Sequence, residues 1–277
     1  MAALDHEMTA NAMASEVLHV ARAGKGEPLV LVHGYLGGSS QWAAELQALG
    51  QQLDVIAPDL PGFGKSRHLT SPDRIEGYAS AVLQALDHLG VQRFHLLGHS
   101  MGGMIVQEMV RLAPTRVDRL VLYGTGPLGL LPGRFETMAR SRERLAEDGV
   151  DATARRISAT WLLHREQSPH AAALGDLAAQ ASAQAAEAGL WAMERWDGRP
   201  NLPHITQPTL IVWGDHDRSY QWPQVEQLWR QIPNASLAVL PHCSHALHLE
   251  YPELFHRLVA DFLLGPANQP MQTGPGR

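Results

Sequence analysis

Short apolar runs alternate with segments of helical spacing along the first 125 residues of the chain. The runs are short enough for buried strands, and the segments between them repeat apolar residues every three or four positions. The runs are Leu29–Val32, Val55–Ala57, Phe94–Leu97 and Leu120–Tyr123, and the helical segments are Gln41–Leu49, Ile75–Leu89 and Met104–Leu112. This alternation predicts an α/β fold with a mostly parallel central sheet and helices on both faces. Weaker alternation over Glu16–Ala21 predicts an additional edge strand.

The strand pattern stops after Gly124 and returns at two later runs, before a closing helix. The later runs are Thr209–Trp213 and Ser236–Leu240, the closing helix is Pro252–Leu264, and the helical patterns in the interval are Phe135–Ala146, Ala152–Leu163 and Ala171–Trp196. An interval of this length is long enough to form its own layer. We therefore expect residues 1–125 and 201–277 to form the core, with residues 1–14 and 266–277 flexible. Residues 126–200 are expected to form an inserted helical cap.

Composition narrows the classes of protein that this chain can belong to. It has 277 residues, of which 45% are hydrophobic and 18% charged, and a formal net charge of -6. Without clusters of Lys and Arg, neither nucleic acid nor an anionic membrane is an expected partner. One cysteine, Cys243, cannot form an internal disulfide, and the first residues lack the pattern of a secretory signal. The apolar runs are too short to span a bilayer, so we expect a cytoplasmic protein.

The most informative local pattern is Gly98-His99-Ser100-Met101-Gly102, which lies between a predicted strand and a predicted helix. A serine hydroxyl is a weak nucleophile that needs exposure and a neighbouring base. A sharp strand-to-helix turn exposes the hydroxyl, and the helix start directs N–H groups towards developing negative charge. The pattern therefore predicts Ser100 as a nucleophile. The alternative is a glycine-rich turn that does no more than start a helix.

An oxyanion hole requires a second N–H group from a loop that follows an earlier strand. The sequence His33-Gly34-Tyr35-Leu36-Gly37-Gly38 follows the run Leu29–Val32 and fits this requirement. We predict that the backbone amides of Tyr35 and Met101 form the hole. Leu36 is the neighbouring alternative to Tyr35.

The acid and the base are expected after later strands, in the order serine, acid, histidine. Asp215 and Asp217 both follow the run Thr209–Trp213. Among fifteen histidines, His245 follows the last strand, precedes the last helix and stands five residues before Glu250. We therefore predict His245 as the general base, with His242 and His248 as its nearest competitors. Glu250 is expected to anchor the loop, and Cys243 to be a small buried residue.

The sequence predicts no metal and no cofactor. It contains neither an H-E-x-x-H pattern nor paired cysteines. The glycines of Pro61-Gly62-Phe63-Gly64-Lys65-Ser66 invite comparison with a phosphate-binding loop. That loop would require a first glycine where Asp59 stands, so we reject this interpretation.

With these motifs in order, the chain resembles the α/β-hydrolase superfamily of serine hydrolases. The motifs are His33-Gly34, Asp59 to Ser66, Gly98 to Gly103, Gly214 to Asp217 and His245 to Glu250. The family pattern Gly-x-x-Asp selects Asp217 over Asp215 as the acid. The resemblance implies the α/β-hydrolase fold and a Ser100–His245–Asp217 triad.

The inserted segment is most similar to the cap of the 3-oxoadipate enol-lactonase and carboxylesterase branch. The similarity covers Arg142 to Trp161 and Ala192 to Thr209, with departures at Leu162 and His242. C–C bond hydrolases usually carry a tryptophan directly after the histidine, where this chain has Ala246. Haloalkane dehalogenases and epoxide hydrolases carry an aspartate nucleophile, against which Ser100 argues.

We expect the protein to hydrolyse a small carboxylic ester or lactone through an acyl-enzyme. One alternative is hydrolysis of a C–C bond in a diketone, and another is a small-molecule receptor with slow turnover on the same fold. Apolar side chains of the cap are candidates for the wall of the substrate pocket, or else they pack the cap onto the core. They are Phe135, Met138, Trp161 and Trp191.

Overall fold

A computed structural model describes residues 17–130 and 133–266 and shows a central sheet with helices on both faces. Within these residues the sheet has seven strands in the order β1-β3-β2-β4-β5-β6-β7. They are β1 Val20–Gly24, β2 Pro28–Val32, β3 Asp54–Pro58, β4 Phe94–His99, β5 Val117–Tyr123, β6 Thr209–Gly214 and β7 Ala235–Leu240. The edge strand β1 is antiparallel to β3, and the remaining pairs are parallel. The predicted α/β class and mostly parallel sheet are confirmed.

Consecutive strand residues contribute to two separate cores, one on each face of the sheet. In β2, Val30 and Val32 belong to one core, whereas Leu29 and Leu31 belong to the other. Because side chains alternate along a strand and both faces are covered, the strand has a continuous apolar run instead of an apolar–polar alternation. This is why the strands were readable from the sequence.

Helices from the two sides of the sheet complete these cores. Apolar residues of α2 Ile75–His88, α3 Met101–Leu112 and α7 Trp222–Gln231 join the first core. Residues of α1 Ala43–Leu49 and α9 Pro252–Leu264 join the second. A four-residue helix, α8 Leu247–Glu250, directly precedes α9.

The segment between β5 and β6 forms helices outside the sheet. They are α4 Met138–Ala159, α5 Ala171–Ala178 and α6 Ala183–Glu194. The backbone of Gly149 is not helical and divides α4 where the sequence patterns predicted two stretches. The third predicted stretch, Ala171–Trp196, is two helices, because the Ser182 hydroxyl accepts a hydrogen bond from the Ala185 amide and starts a new helix.

Both ends predicted to be flexible, 1–14 and 266–277, lie outside the described residues apart from Pro266. The predicted edge strand at Glu16–Ala21 is present but begins later, at Val20. Among the described helices, none combines the length and the apolar composition that crossing a bilayer requires.

Parallel strands place the loops that follow them at one edge of the sheet. The loops after β2, β4, β6 and β7 carry, in that order, Tyr35, Ser100, Asp217 and His245. The topology thus delivers all the candidate polar groups to the carboxyl ends of the strands.

Candidate active site

Ser100 lies at the turn between β4 and α3 with a backbone conformation that L-residues rarely adopt. Its φ is 57° and its ψ is -121°. Hydrogen bonds hold this turn on both sides: the Ser100 amide donates to the Tyr123 carbonyl, and the Thr125 hydroxyl donates to the Ser100 carbonyl at 2.8 Å. A strained conformation persists only where its surroundings determine it, and such residues cluster at functional sites.

Two glycines make this turn possible because a side chain at either position would collide with backbone. A Cβ on Gly98 would lie 2.4 Å from the Gly102 carbonyl oxygen, and one on Gly102 would lie 2.2 Å from the Val32 carbonyl oxygen. The start of α3 therefore packs directly against the end of β2. This close approach brings the Met101 amide and the loop after β2 together.

Asp217 and His245 form a buried hydrogen-bonded pair. His245 Nδ1 lies 2.8 Å from Asp217 Oδ2, and the two side chains are 1% and 0% exposed. The other carboxylate oxygen, Oδ1, accepts hydrogen bonds from the amides of Ser219 and Tyr220 at 2.7 and 3.1 Å. Hydrogen bonds therefore fix both oxygens of Asp217, and the carboxylate in turn fixes the orientation of the His245 imidazole.

Aromatic rings surround the His245 imidazole. Tyr220 stacks on it with an interplanar angle of 19° and a centroid distance of 5.7 Å. Trp161 and His99 lie against it at 6.1 and 4.6 Å. Such packing holds the ring in a single orientation and keeps water from the Asp217 pair.

Several contacts connect the serine turn with the histidine loop. Burial raises the pKa of the Tyr220 phenol, and a hydrogen bond with Ser100 acts in the opposite direction. A Cβ on Gly34 would lie 2.9 Å from the Ser100 Cβ, so the loop after β2 also touches the serine. His99, next to Ser100 in the chain, bonds the His245 backbone carbonyl at 3.0 Å.

Hydrogen bonds to neighbouring elements hold the loop that carries Tyr35. His33 bridges it to the next loop, since its Nδ1 donates to the Gly34 carbonyl and its Nε2 accepts from the Leu60 amide. The Tyr35 hydroxyl donates to the Ala186 carbonyl in α6. Among the loop and turn hydrogen bonds of the described backbone, neither the Tyr35 nor the Met101 amide is a donor.

The competing residues occupy different environments. The Asp215 side chain bonds the neighbouring His216 at 2.6 Å. Partial burial raises the pKa of Asp215, but bonds from His216 and from the backbone of the His242 loop lower it overall. His242 lies 5.9 Å from the His216 ring, outside the cluster around His245. Burial raises the pKa of the Cys243 thiol to about 12, which keeps it protonated.

Glu250 and Arg218 attach the loops of Asp217 and His245 to one short segment of the helical insertion. Glu250 accepts hydrogen bonds from the amides of Leu163 and Ser244 at 2.6 and 2.7 Å. Arg218 donates to the carbonyls of Leu162 and Leu163. The Ala246 amide donates to the Trp161 carbonyl. The insertion is therefore fixed to the loops of Asp217 and His245.

Only some of the four apolar residues named from the insertion approach this cluster. Trp161 lies against His245, and Met138 is buried in the same core as Tyr35. Phe135 packs on that core, with the Arg134 guanidinium 4.2 Å above its ring. Trp191 lies between the guanidinium groups of Arg142 and Arg195, at 3.7 and 4.8 Å. Among the hydrogen bonds and ring contacts of the described residues, none joins Trp191 to Ser100 or His245.

Sequence reasoning missed Arg134 and Tyr220. Arg134 Nη1 donates to the Glu136 carbonyl and to the Ser141 hydroxyl, while the Glu136 carboxylate is engaged by Arg156. Burial raises the pKa of the Tyr220 phenol, and the positive charge of Arg134 is one of the smaller influences that act in the opposite direction. Arg134 has no sequence signal, whereas Tyr220 lies three residues after Asp217 in the same loop, a position that could have suggested a role.

Other cavities and clusters offer less chemistry. A cavity of about 670 Å³ lies at the amino ends of the strands, lined by Arg93, His95 and Arg119 among others. It is at the opposite end of β4 from Ser100. Within the described ranges, no group of three or more His, Cys, Asp or Glu side chains could hold a metal ion.

A family model described as the alpha/beta hydrolase fold matches residues 27–252. The chain belongs to the α/β-hydrolase family. The match spans the loops of Tyr35, Ser100, Asp217 and His245, so the hydrolase carries its candidate groups within the matched region.

Relatives of this chain carry the names of different hydrolases. It is 29% identical over 271 residues to 2-hydroxy-6-oxo-6-phenylhexa-2,4-dienoate hydrolase of Comamonas testosteroni, covering 89% of this chain and 91% of that protein. It is 30% identical to a putative carbamate hydrolase of Pseudomonas savastanoi, covering 85% and 93%. The crystal structure of the enol-lactonase from Burkholderia xenovorans superposes with a TM-score of 0.82 and 25% identity, covering 89% and 96%.

Proposed function

We propose that this hydrolase cleaves a small carboxylic ester or lactone, with Ser100 as nucleophile, His245 as general base and Asp217 as the orienting acid. The observation that carries the proposal is the buried Asp217–His245 pair beside a serine held in a strained turn. A hydrogen bond to Asp217 from Nδ1 leaves Nε2 of the imidazole to accept a proton. That division of roles is what a serine nucleophile requires of its base.

The reaction proceeds in two steps. Ser100 Oγ bonds to the carbonyl carbon while its proton passes to His245 Nε2, and the charge on the carbonyl oxygen is taken up by the Tyr35 and Met101 amides. The C–O bond to the alcohol breaks as His245 returns the proton to the leaving oxygen. Water then attacks the acyl-enzyme, gives a proton to His245, and releases the acid as Ser100 is reprotonated. In a lactone, acid and alcohol remain in one molecule.

The helices of residues 126–200 act as a cap over this site. Support comes from the bonds of Glu250, Arg218 and Ala246 to the segment Trp161–Leu163, and from the hydrogen bond of Tyr35 to α6.

A second candidate is hydrolysis of a carbon–carbon bond. It is favoured by relatives from Comamonas testosteroni and Burkholderia cepacia that carry the name of a 6-oxo-dienoate hydrolase. C–C hydrolases of the superfamily that this chain resembles usually carry a tryptophan directly after the histidine. This chain has Ala246 at that position, which favours an ester or lactone as the substrate.

A substrate panel tests the proposal. The wild-type protein and Ser100→Ala are assayed with neutral p-nitrophenyl esters, a carboxylate-bearing ester, lactones of two ring sizes and a ring-cleavage diketone. We expect turnover of an ester or lactone at rates of order 1 s⁻¹ or above, absent in the variant. Faster turnover of the diketone would establish the second candidate, and rates far below this for all substrates would indicate a receptor.

A further inference from the structure

The His245 backbone carbonyl accepts two hydrogen bonds from buried side chains. His99 Nε2 lies 3.0 Å from this oxygen, and the Tyr123 hydroxyl lies 2.9 Å from it. Both side chains stand at the carboxyl ends of central strands, β4 and β5, and His99 directly precedes Ser100. The mechanism above uses the imidazole of His245 but leaves these two donors without a role.

The protonation of His99 follows from its partners. A carbonyl oxygen only accepts, so Nε2 of His99 must carry the proton. Nδ1 is buried and has no partner among the described residues. A second proton there would create a buried N–H group without an acceptor, so the ring is neutral. Burial, and then the proximity of His245 and His248, lowers the pKa of His99 well below its ordinary value.

The direction of the Tyr123 hydroxyl follows from a third residue, His248. The tyrosine oxygen accepts a hydrogen bond from the His248 amide and lies 2.8 Å from His248 Nδ1. If Tyr123 donated to Nδ1, the proton of His248 would sit on Nε2, which is buried and has no partner in the described structure. The His245 carbonyl would also face the tyrosine oxygen with no proton between them.

The opposite arrangement satisfies every N–H and O–H group. His248 Nδ1–H donates to the tyrosine oxygen, and the tyrosine proton goes to the His245 carbonyl. An unpaired ring nitrogen lone pair then remains on His99 and on His248, which costs less than a buried unpaired N–H. Burial lowers the pKa of His248 to about 4, in keeping with a neutral ring.

We propose that His99 and Tyr123 are positioning residues that fix His245 relative to Ser100 by donating two hydrogen bonds to its backbone carbonyl. This inference rests on the proposed function. Asp217 holds the imidazole of His245, whereas these donors hold its main chain from the adjacent carboxyl ends of β4 and β5. The ring of His99 also lies 4.6 Å from that of His245. A neutral His99 causes no like-charge repulsion when His245 takes up a proton during the reaction.

Removal of one oxygen atom from Tyr123 tests the proposal. Tyr123→Phe keeps the ring that stacks on His99 at 4.4 Å and removes the hydroxyl. We expect kcat to fall roughly 10- to 100-fold, the range that small misplacement of a catalytic group produces, with KM changed less than about twofold. Tyr78→Phe is the matched control, because Tyr78 is equally buried and lies outside the bonds to His245. A kcat equal to that of the control would overturn the proposal.

Replacements of His99 provide a second test that does not depend on Tyr123. His99→Gln places an amide N–H near the position of Nε2, whereas His99→Leu fills similar space without a donor. We expect the kcat of His99→Gln to exceed that of His99→Leu by at least about fivefold, a part of the loss that misplacement of a catalytic group produces, with equal melting temperatures. The rate at which a fluorophosphonate labels Ser100 should change in the same order as kcat. Equal kcat in the Gln and Leu variants would contradict the role of His99.

His245→Ala separates failure of this inference from failure of the proposed function. An active His245→Ala protein would exclude His245 as the base, and both proposals would fall together. An inactive His245→Ala protein with wild-type kcat in Tyr123→Phe and in His99→Leu would leave the proposed function standing and remove the positioning role alone.

Discussion

The strained backbone of Ser100, at the end of a strand, lowers the stability of the fold. A non-glycine residue with φ of 57° costs on the order of 1 to 3 kcal/mol, because its Cβ crowds the backbone. The cost is sustained by hydrogen bonds at its amide and carbonyl and by the close contact of Gly102 with Val32. A turn that only starts a helix needs no such conformation, so the strain favours the functional interpretation of the motif.

Substitutions at neighbouring residues of the same type should separate the triad from its competitors. Asp217→Asn and His245→Ala should each lower kcat by roughly 10⁴-fold, since both break the buried pair. Asp215→Asn, His242→Ala and His248→Ala should retain most activity. Steady-state kinetics on a common ester, normalised to folded protein, makes the comparison.

If Asp215→Asn were inactive and Asp217→Asn were active, the acid would be Asp215, and our assignment to Asp217 would be wrong. His248 is the most demanding of the three controls because it is buried. Its removal still leaves the Tyr123 hydroxyl free to donate to the His245 carbonyl, so the expected loss is in stability rather than in kcat.

At the scale of loops and helices, the sequence supports those site assignments that rest on a local motif or on the order of the elements. Ser100 and its glycines form a local motif whose geometry requires those residues, and the histidine loop follows from the order of the elements. The sequence alone left Asp215 and Asp217 open, and the family pattern selected Asp217. In the structure it is Asp217 that lies 2.8 Å from His245, while Asp215 bonds His216.

Roles in the inserted helices depend on tertiary contacts that no local pattern encodes. Trp161 and Trp191 look alike in the sequence, yet one lies against His245 and the other between two arginines. Arg134 gave no signal because nothing in its local sequence sets it apart from the other arginines of the insertion. Ser182 divides the last helical stretch by capping a new helix, whereas Gly149 interrupts the first through its non-helical backbone.

Trp161 is the residue of the inserted segment whose substitution should alter the preference for acyl chain length. Its ring is buried beside His245, so Trp161→Ala should enlarge the acyl side of the site and favour longer chains. We expect the ratio of kcat/KM for a long acyl ester to that for acetate to rise severalfold, with a small change in melting temperature. Trp191→Ala is the control, and its ratio should stay near that of the wild type.

The opposite result would reassign the tryptophan. An unchanged ratio in Trp161→Ala, with a large drop in melting temperature, would show that Trp161 packs the insertion onto the core. The substrate wall would then have to be formed by other side chains, of which Met138 and Phe135 are the nearest candidates.

At the scale of the whole molecule, the fold follows from the apolar pattern because both faces of the sheet are buried. The inner parallel strands β2, β3, β4, β5 and β6 each contain a run of buried residues, and each of these strands ends where a loop leaves the carboxyl edge. The same topology that makes the fold readable also gathers four loops from across the chain at one place. Distances between those loops are a tertiary property, which is why the sequence predicts the members of the site but not Tyr220 or Arg134 within it.

The central claim is that Ser100 is the activated nucleophile of this site, and covalent labelling tests it most directly. The folded wild-type protein is treated with a fluorophosphonate, and the labelled peptide is identified by mass spectrometry. We predict one label per chain, on Ser100, formed far more slowly in His245→Ala and absent in Ser100→Ala. A label on another residue, or equal labelling of wild-type and Ser100→Ala protein, would contradict the account.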